Sequence, residues 1–332
     1  MERPVIRASA PVRLDFAGGW TDVPPFCLRQ RGVVVNAAIT LRVEAEFQPG
    51  GEGFLLIAED QGCALRVARA ADLTQPGQLE LHRAALRMFP SGPGTLRTRS
   101  AVPAGSGLGS SGALDVALVS VLTAARGESP APEEVAADAW RLETIEAGLP
   151  GGRQDQCAAA LGGFHRFTFN GEDIESERLA LDEAFLAELE RRLLICYTGR
   201  SRVSGETIAR VMAAYERGEP EVSGALLEMT TIADRMAEAL RAGDLVGVAS
   251  LLTANWDCQQ RLDPAMRTEE MLALEVMLRD AGALGGKAAG AGAGGSMFFL
   301  MGDDVTSGIV AAERAGARVL RARWSASGVE RC

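Results

Sequence analysis

Residues 102–122 read "VPAGSGLGSSGALDVALVSVL". From Gly105 to Gly112 every residue but Leu108 is glycine or serine, and an apolar run follows at once. Glycine permits left-handed turns and close approach to the backbone. A helix start exposes unpaired N–H groups at the positive end of the helix dipole. The stretch therefore predicts a phosphate cradle closed by a buried helix over 109–126. No Lys-Ser/Thr follows the glycines, so this is not a Walker A loop. The spacing Gly105, Gly107, Gly109 also departs from Gly-x-Gly-x-x-Gly. A plainer alternative is a flexible turn in which Ser110 or Ser111 caps the helix.

Upstream the chain reads as strands. "VIRASAPVRLDFA" (5–17) and "GVVVNAAITLRVEAEF" (32–47) are rich in β-branched residues, and "GTLRTRSAVPAG" (94–105) leads into the loop. Helical spacing covers 79–89, 131–148 and most of 203–282, with a last helix over 305–316. Strands are expected at 191–199, 296–302 and 317–324. This mixture lacks regular βα alternation, which predicts an α+β fold. The polar, turn-rich segment 170–180 predicts a division into 1–172 and 173–332. A second glycine run, "GGKAAGAGAGG" (285–295), formally matches Gly-x-Gly-x-x-Gly at Gly290, Gly292 and Gly295. It reads as following a helix and preceding a strand, the wrong context for a dinucleotide site. Taken by itself, it is a turn whose backbone packs tightly on a neighbour.

The totals narrow the function. A chain of 332 residues with 47% hydrophobic and 23% charged residues builds a sizeable core. A net charge of -10 argues against a nucleic-acid partner. The six cysteines form no Cys-x-x-Cys pair and no zinc spacing. No apolar run reaches membrane-span length. A cytoplasmic setting with core thiols is expected. Only two histidines, His82 and His165, and one lysine, Lys287, are present. Both histidines read as structural, His82 on a surface-like helix, so a carboxylate is the better candidate for a general base. Asp155 lies in the glycine-bounded "GGRQDQ", where a turn can present it; capping the helix "QCAAAL" is the alternative role.

Four segments taken in order resemble the GHMP kinase family, small-molecule kinases named for galactose, homoserine, mevalonate and phosphomevalonate. "APVRLDFAGGWTDVPPF" (10–26) is similar to the N-terminal substrate motif, and "PAGSGLGSSGA" (103–113) to the nucleotide loop. "LPGGRQDQCAAALGG" (149–163) resembles the catalytic-aspartate segment, and "KAAGAGAGGSMFFL" (287–300) the C-terminal glycine motif. "FAGGWTD", "GGRQDQ" and "CYTGRSRVS" (196–204) resemble the branch of heptose 7-phosphate kinases and fucokinases. Galactokinases carry Gly-Glu-His where this chain has Gly18-Gly19-Trp20.

The resemblance implies a two-domain fold, with a mixed-sheet N-terminal domain and a ferredoxin-like C-terminal domain carrying extra helices. It implies ATP and Mg2+ as cofactors and a sugar or sugar phosphate as the only partner, with no membrane. The oligomeric state stays open, a homodimer included. Asp155 would be the catalytic base. Arg13 beside it would stabilise that carboxylate and the charge developing on the transferred group. Pro103, Gly105, Ser106, Gly107, Leu108, Gly109, Ser110 and Ser111 would hold the nucleotide. Gly18, Gly19, Trp20, Thr21, Asp22 and Gln156 would meet the sugar. Lys287, Gly290 and Gly292 would close over the sugar or its phosphates. Arg153 and Arg202 are candidates for a phosphate already on the sugar. Ser110 or Ser111 with Glu143 would bind magnesium, with Glu146 the competitor of Glu143. The implied activity is phosphorylation of a sugar hydroxyl, first the anomeric position of D-glycero-D-manno-heptose 7-phosphate and next that of a sugar such as fucose. A non-catalytic sugar- or nucleotide-binding regulator is the reading from another class, and a dehydrogenase is disfavoured by the order of the glycine loops.

Overall fold

The computed structural model describes residues 4–200 and 205–331. The first sheet takes its strands from both ends of the chain. They are β1 (Ile6–Ala17), β2 (Gly32–Pro49), β3 (Phe54–Ala58), β4 (Cys63–Val67), β5 (Gly94–Ser100), β6 (Phe164–Asn170) and β7 (Asp173–Arg178), plus a short return strand at Glu330–Arg331. β2 is long enough to serve two neighbours along one edge, Gly32–Ala37 pairing with β6 and Val43–Pro49 with β5, while β1 pairs along the other. β3 runs parallel to β5 while the other pairs are antiparallel, so the sheet is mixed.

Helices α1 (Phe26–Arg29) and α2 (Glu80–Met88) flank this sheet, and α3 (Ser110–Ala125) packs onto β1 and β2. From Gly112 to Thr123 every α3 residue except Leu114 is buried. A helix apolar on nearly all sides must be enclosed, and this one is. α4 (Pro132–Arg141) runs into a π-helical turn over Leu142–Glu146, shorter than the helix expected to reach 148. α5 (Gln154–Leu161) then lies against α3 and α4.

The second sheet contains β8 (Leu193–Tyr197), β9 (Ala283–Ala288), β10 (Ser296–Met301) and β11 (Arg318–Leu320), all antiparallel in the order β11-β8-β10-β9. Numbered within this half, the order is 4-1-3-2 with a helical link after the first and third strands, which is the ferredoxin-like pattern. α6 (Glu183–Arg192) precedes it. The extra helices are α7 (Gly205–Glu216), α8 (Pro220–Arg241), α9 (Leu245–Leu262) and α10 (Glu269–Asp280), and α11 (Val305–Arg314) completes the motif. The fold is thus α+β in two parts, as expected.

Two further details differ from the sequence reading. The second glycine run follows a strand, β9, so it joins two strands and still lacks the strand-to-helix context of a dinucleotide loop. The expected division at 172/173 falls in the turn of the β6–β7 hairpin, because Asp173–Arg178 pairs back onto the first sheet. Strand pairing moves the proposed division to the link 179–182. The two parts share a core: Trp324 packs on Phe164 at 4.8 Å and on Phe16 at 6.0 Å between ring centroids. No helix among the described residues is long and apolar enough to cross a membrane.

Candidate active site

A cleft of about 340 Å³ opens where the two parts meet. Its walls come from residues 13–23, 105–111, 143–155 and 290–294, with Gly205 and Ile208 of α7. Four separated sequence motifs therefore converge on one space.

The glycine-serine loop forms one wall. Gly105, Gly107 and Gly109 have φ of 70°, 78° and 74°, the left-handed region that favours glycine. No side chain caps α3, so its first N–H groups stay open toward the cleft. Ser111 instead donates its hydroxyl to Glu143 Oε1. The helix-cap alternative for Ser110 and Ser111 is thereby set aside. The second glycine loop lies directly on the first. A Cβ at Gly290 would stand 2.5 Å from the Gly107 carbonyl oxygen, and Ser296 N donates to Ser106 O at 2.7 Å.

Arg13 ties these pieces together. Its Nε donates to Asp155 Oδ1 at 2.8 Å and its Nη2 reaches the same oxygen at 2.8 Å. Nη1 donates to Gly107 O at 2.7 Å and Ala289 O at 2.9 Å. One guanidinium thus spans both glycine loops and the start of α5. Asp155 Oδ2 makes no hydrogen bond among the described residues, and the side chain is 28% exposed to the cleft. Gly112 lets α3 approach this closely, since a Cβ there would lie 2.6 Å from Asp155 Cβ.

Glu143 sits in the π-helical turn, a distortion frequent at functional sites. Its Oε1 accepts from Ser111, and its Oε2 accepts from Gln156 Nε2 at 2.6 Å. Burial pushes its carboxyl up to about 7, with the Asp155 charge adding to the rise and the Ser111 and Gln156 bonds opposing it. A carboxylate and a hydroxyl sharing one spot make a hard oxygen set of the kind magnesium takes. Asp22 is held differently: Oδ2 accepts from the backbone N–H of Arg153 at 2.8 Å and of Gln154 at 3.0 Å. It satisfies the N-terminus of α5 from across the cleft. Burial raises it to about 6 against those bonds. Below it, the fully buried Lys287 donates to Asp15 Oδ2 at 2.8 Å and to Asp15 O at 2.7 Å. Burial lowers the Lys287 ammonium while Asp15 opposes the shift.

With this geometry in place, comparison with known proteins is decisive at the family level. Residues 68–163 match the N-terminal domain of the GHMP kinases and residues 236–324 match their C-terminal domain, together more than half of the chain. The chain belongs to the GHMP kinase family. It is 29% identical over 307 residues to the D-glycero-alpha-D-manno-heptose 7-phosphate kinase of Campylobacter jejuni, covering 89% of each chain. It is also 29% identical to the bifunctional fucokinase/GDP-fucose pyrophosphorylase of Arabidopsis thaliana, covering 90% of this chain but 30% of that longer one. The solved D-glycero-D-manno-heptose 1-phosphate kinase from Bacteroides thetaiotaomicron superposes with a TM-score of 0.81 at 24% identity, covering 98% of each chain. GHMP kinases use ATP as phosphate donor.

This GHMP kinase brings most of the expected residues to the cleft. Arg13, Gly19, Trp20, Asp22, Gly105, Gly107, Gly109, Ser110, Ser111, Glu143, Asp155, Gly290 and Gly292 all line it. Others support it from behind. Ser106 and Leu108 are fully buried under the loop, and Pro103 does not line the cleft. Gly18 N donates to Asn255 Oδ1, and Thr21 Oγ1 donates to Gly18 O, so both hold the shape of the 18–22 loop.

Four expectations are corrected. Gln156 spends its amide on Glu143 and does not reach the cleft. Lys287 is enclosed with Asp15 and cannot close over a phosphate. Arg153 turns away: it donates to Gly171 O and Glu172 O and lies 4.5 Å from the Trp140 ring centroid. His82 is buried on Thr98 Oγ1 at 2.8 Å, not on a surface, and burial lowers it to about 4. Arg202 lies outside the described residues. Glu146 does not line the cleft and Glu143 does. Sequence reasoning missed Asp15 and Gln154, both cleft residues. One signal was available for Asp15: it stands two residues from Arg13 on a strand, and such residues share a face.

Proposed function

We propose that this GHMP kinase is an ATP-dependent sugar kinase, with the anomeric hydroxyl of D-glycero-D-manno-heptose 7-phosphate as its first acceptor. The observation that carries the reading is the Arg13–Asp155 pair set between two touching glycine loops, with Asp155 Oδ2 unbonded in the cleft. A sugar hydroxyl against Oδ2 gives its proton to that carboxylate as its oxygen bonds the γ-phosphorus of ATP, the bond from that phosphorus to the β–γ bridging oxygen breaks and ADP leaves. Arg13 fixes the carboxylate rather than touching substrate, since its donors are used by Asp155, Gly107 and Ala289. The open N–H groups at the start of α3 and the loop 105–109 would cradle the phosphates. Ser111 and Glu143 would hold magnesium, with Gln156 orienting the carboxylate. That ion, when bound, neutralises phosphate charge. Together with the buried cysteines, these roles suit a cytoplasmic enzyme.

One observation favours a second acceptor class. Arg153, the candidate for a phosphate on the sugar, faces away from the cleft. An unphosphorylated sugar such as fucose is the reading that fits this placement. ADP release measured on heptose 7-phosphate, fucose, mannose and galactose tests both. Turnover on the heptose phosphate above all others supports the first reading, and turnover on fucose the second. Tight nucleotide binding with no turnover on any sugar would leave a binding regulator instead. Asp155→Asn is expected to lose at least about 100-fold in kcat; wild-type turnover in that variant removes Asp155 as base.

A further inference from the structure

One helix of the second part, α9, reaches two of the loops that line the cleft. Asn255 and Gln259 stand four residues apart on it, so they share a face. Both are fully buried, at 0% exposure. Asn255 Oδ1 accepts from Gly18 N at 2.9 Å, across the boundary between the two parts. Gln259 Nε2 donates to Gly290 O at 2.6 Å. The turn that follows α9 holds the far end of the same glycine loop. There Met266 O accepts from Ala293 N at 2.6 Å, and Ala293 has φ 56°, an uncommon backbone for alanine.

These two amides are a poor choice for packing alone. Asn255 Nδ2 and Gln259 Oε1 have no partner among the described residues. A buried amide bonded at one atom leaves the other desolvated, a cost that an apolar side chain of like size avoids. What the pair supplies is placement. A Cβ at Gly18 would lie 1.8 Å from Val33 O, so the start of the 18–22 loop has no side chain to anchor and is held by its backbone. Gly290 rests on Gly107. Arg13 Nη1 bonds Gly107 O and Ala289 O beside that contact, while its Nε holds Asp155. Gln259 therefore bears on Asp155 through Arg13, and Asn255 bears on the loop that carries Trp20 and Asp22.

We propose that Asn255 and Gln259 are positioning residues that set, from one helix, the spacing between the 18–22 loop and the second glycine loop. Neither touches a ligand. Asn255 acts on the acceptor side of the cleft and Gln259 on the phosphate side. That assignment of sides rests on the sugar-kinase reading, whereas the hydrogen bonds do not.

The test compares Asn255→Leu with Gln259→Met, each near the native size and lacking the bond. Hydrogen-exchange mass spectrometry on the folded full chain reads the loops directly. Asn255→Leu should raise exchange about tenfold in 15–24 and leave 286–296 unchanged. Gln259→Met should raise it about tenfold in 286–296 and, through Gly107, in 103–111, leaving 15–24 unchanged. Steady-state kinetics should split the same way. Asn255→Leu raises KM for sugar about tenfold with kcat held, and Gln259→Met lowers kcat about tenfold with KM for sugar held. A shared packing defect would move both variants alike, because the residues are neighbours on one helix. Thermal melting checks folding, and Asn255→Ala or Gln259→Asn takes the place of a variant that does not fold. Failure of both variants at either position to fold overturns the proposal, since that residue is then structural. Identical effects at the two positions, or wild-type values, in either readout also overturn it. If the wild type phosphorylates no sugar, the kinase reading fails by itself and exchange alone decides: the split between loops supports positioning, and uniform or unchanged exchange overturns it.

Discussion

Gly290→Ala tests whether contact between the two glycine loops is needed for nucleotide use. The new Cβ would stand 2.5 Å from Gly107 O and 3.1 Å from Gly107 C. An ordinary carbon–oxygen contact needs about 3.3 Å, so the loops must part by roughly 0.8 Å. Both contacts are backbone, so no side chain can swing aside. Gly290 has no left-handed φ, so the expected damage is steric alone. The separation falls on the carbonyls that Arg13 Nη1 joins, Gly107 O and Ala289 O. A displacement near 1 Å in a reacting array costs on the order of 100-fold. We therefore expect Gly290→Ala to lower kcat/KM for ATP by about 100-fold, with a stability loss of about 1–3 kcal/mol. A coupled ADP-release assay at saturating sugar and varied ATP measures the first, and urea unfolding the second. Gly224→Ala on α8 is the control, because its nearest neighbour would be 3.8 Å away. It should keep activity and gain up to about 1 kcal/mol. A Gly290→Ala enzyme within twofold of wild type would refute the reasoning that the loops work as one unit.

The remaining expectations concern the buried charges. Lys287→Met should cost about 3–5 kcal/mol, because it strands the buried Asp15 carboxylate; the double variant with Asp15→Leu should recover most of that loss in urea titrations. Asp22 is raised from 3.8 to about 6, so its contribution to stability is complete below about pH 4 and fades as pH rises through about 6. Asp22→Asn should flatten that slope, worth roughly 3 kcal/mol by urea midpoints across the window, although it also weakens the cap on α5. Glu143→Gln should raise the magnesium concentration for half-maximal rate by tenfold or more while leaving the fold intact, measured by metal titration of activity and by circular dichroism.

The parts of this protein that were legible in its sequence are those where backbone does the work. Glycines at 105, 107 and 109 announce left-handed turns, and the apolar run behind them announces an enclosed helix. Both are local properties that need no tertiary information. Convergence of distant loops followed from the family resemblance, and the cleft shows it in space. What sequence could not give is the direction of individual side chains. Arg153 and Asp155 stand two residues apart at the start of α5, where successive residues rotate by about 100°. One enters the cleft and the other turns to Trp140. Lys287 was misjudged for a related reason. Gly285 and Gly286 hid the strand β9 that carries it inward, since glycine is a weak strand former. Gln156 illustrates the limit most plainly: a polar residue next to Asp155 can serve another carboxylate instead of facing the cleft.

The burial of Lys287 also shapes the protein's exposure to chemistry outside catalysis. It is the single lysine in 332 residues, and its side chain is wholly enclosed. The folded protein therefore presents no ε-amine to acetyl donors, to isopeptide-forming conjugation or to amine-directed cross-linkers. At neutral pH every other positive side-chain charge comes from arginine, since burial lowers both histidines to about 4. Lysine labelling becomes a direct gauge of opening: reagent appears on residue 287 only when the contact between the two halves of the fold gives way.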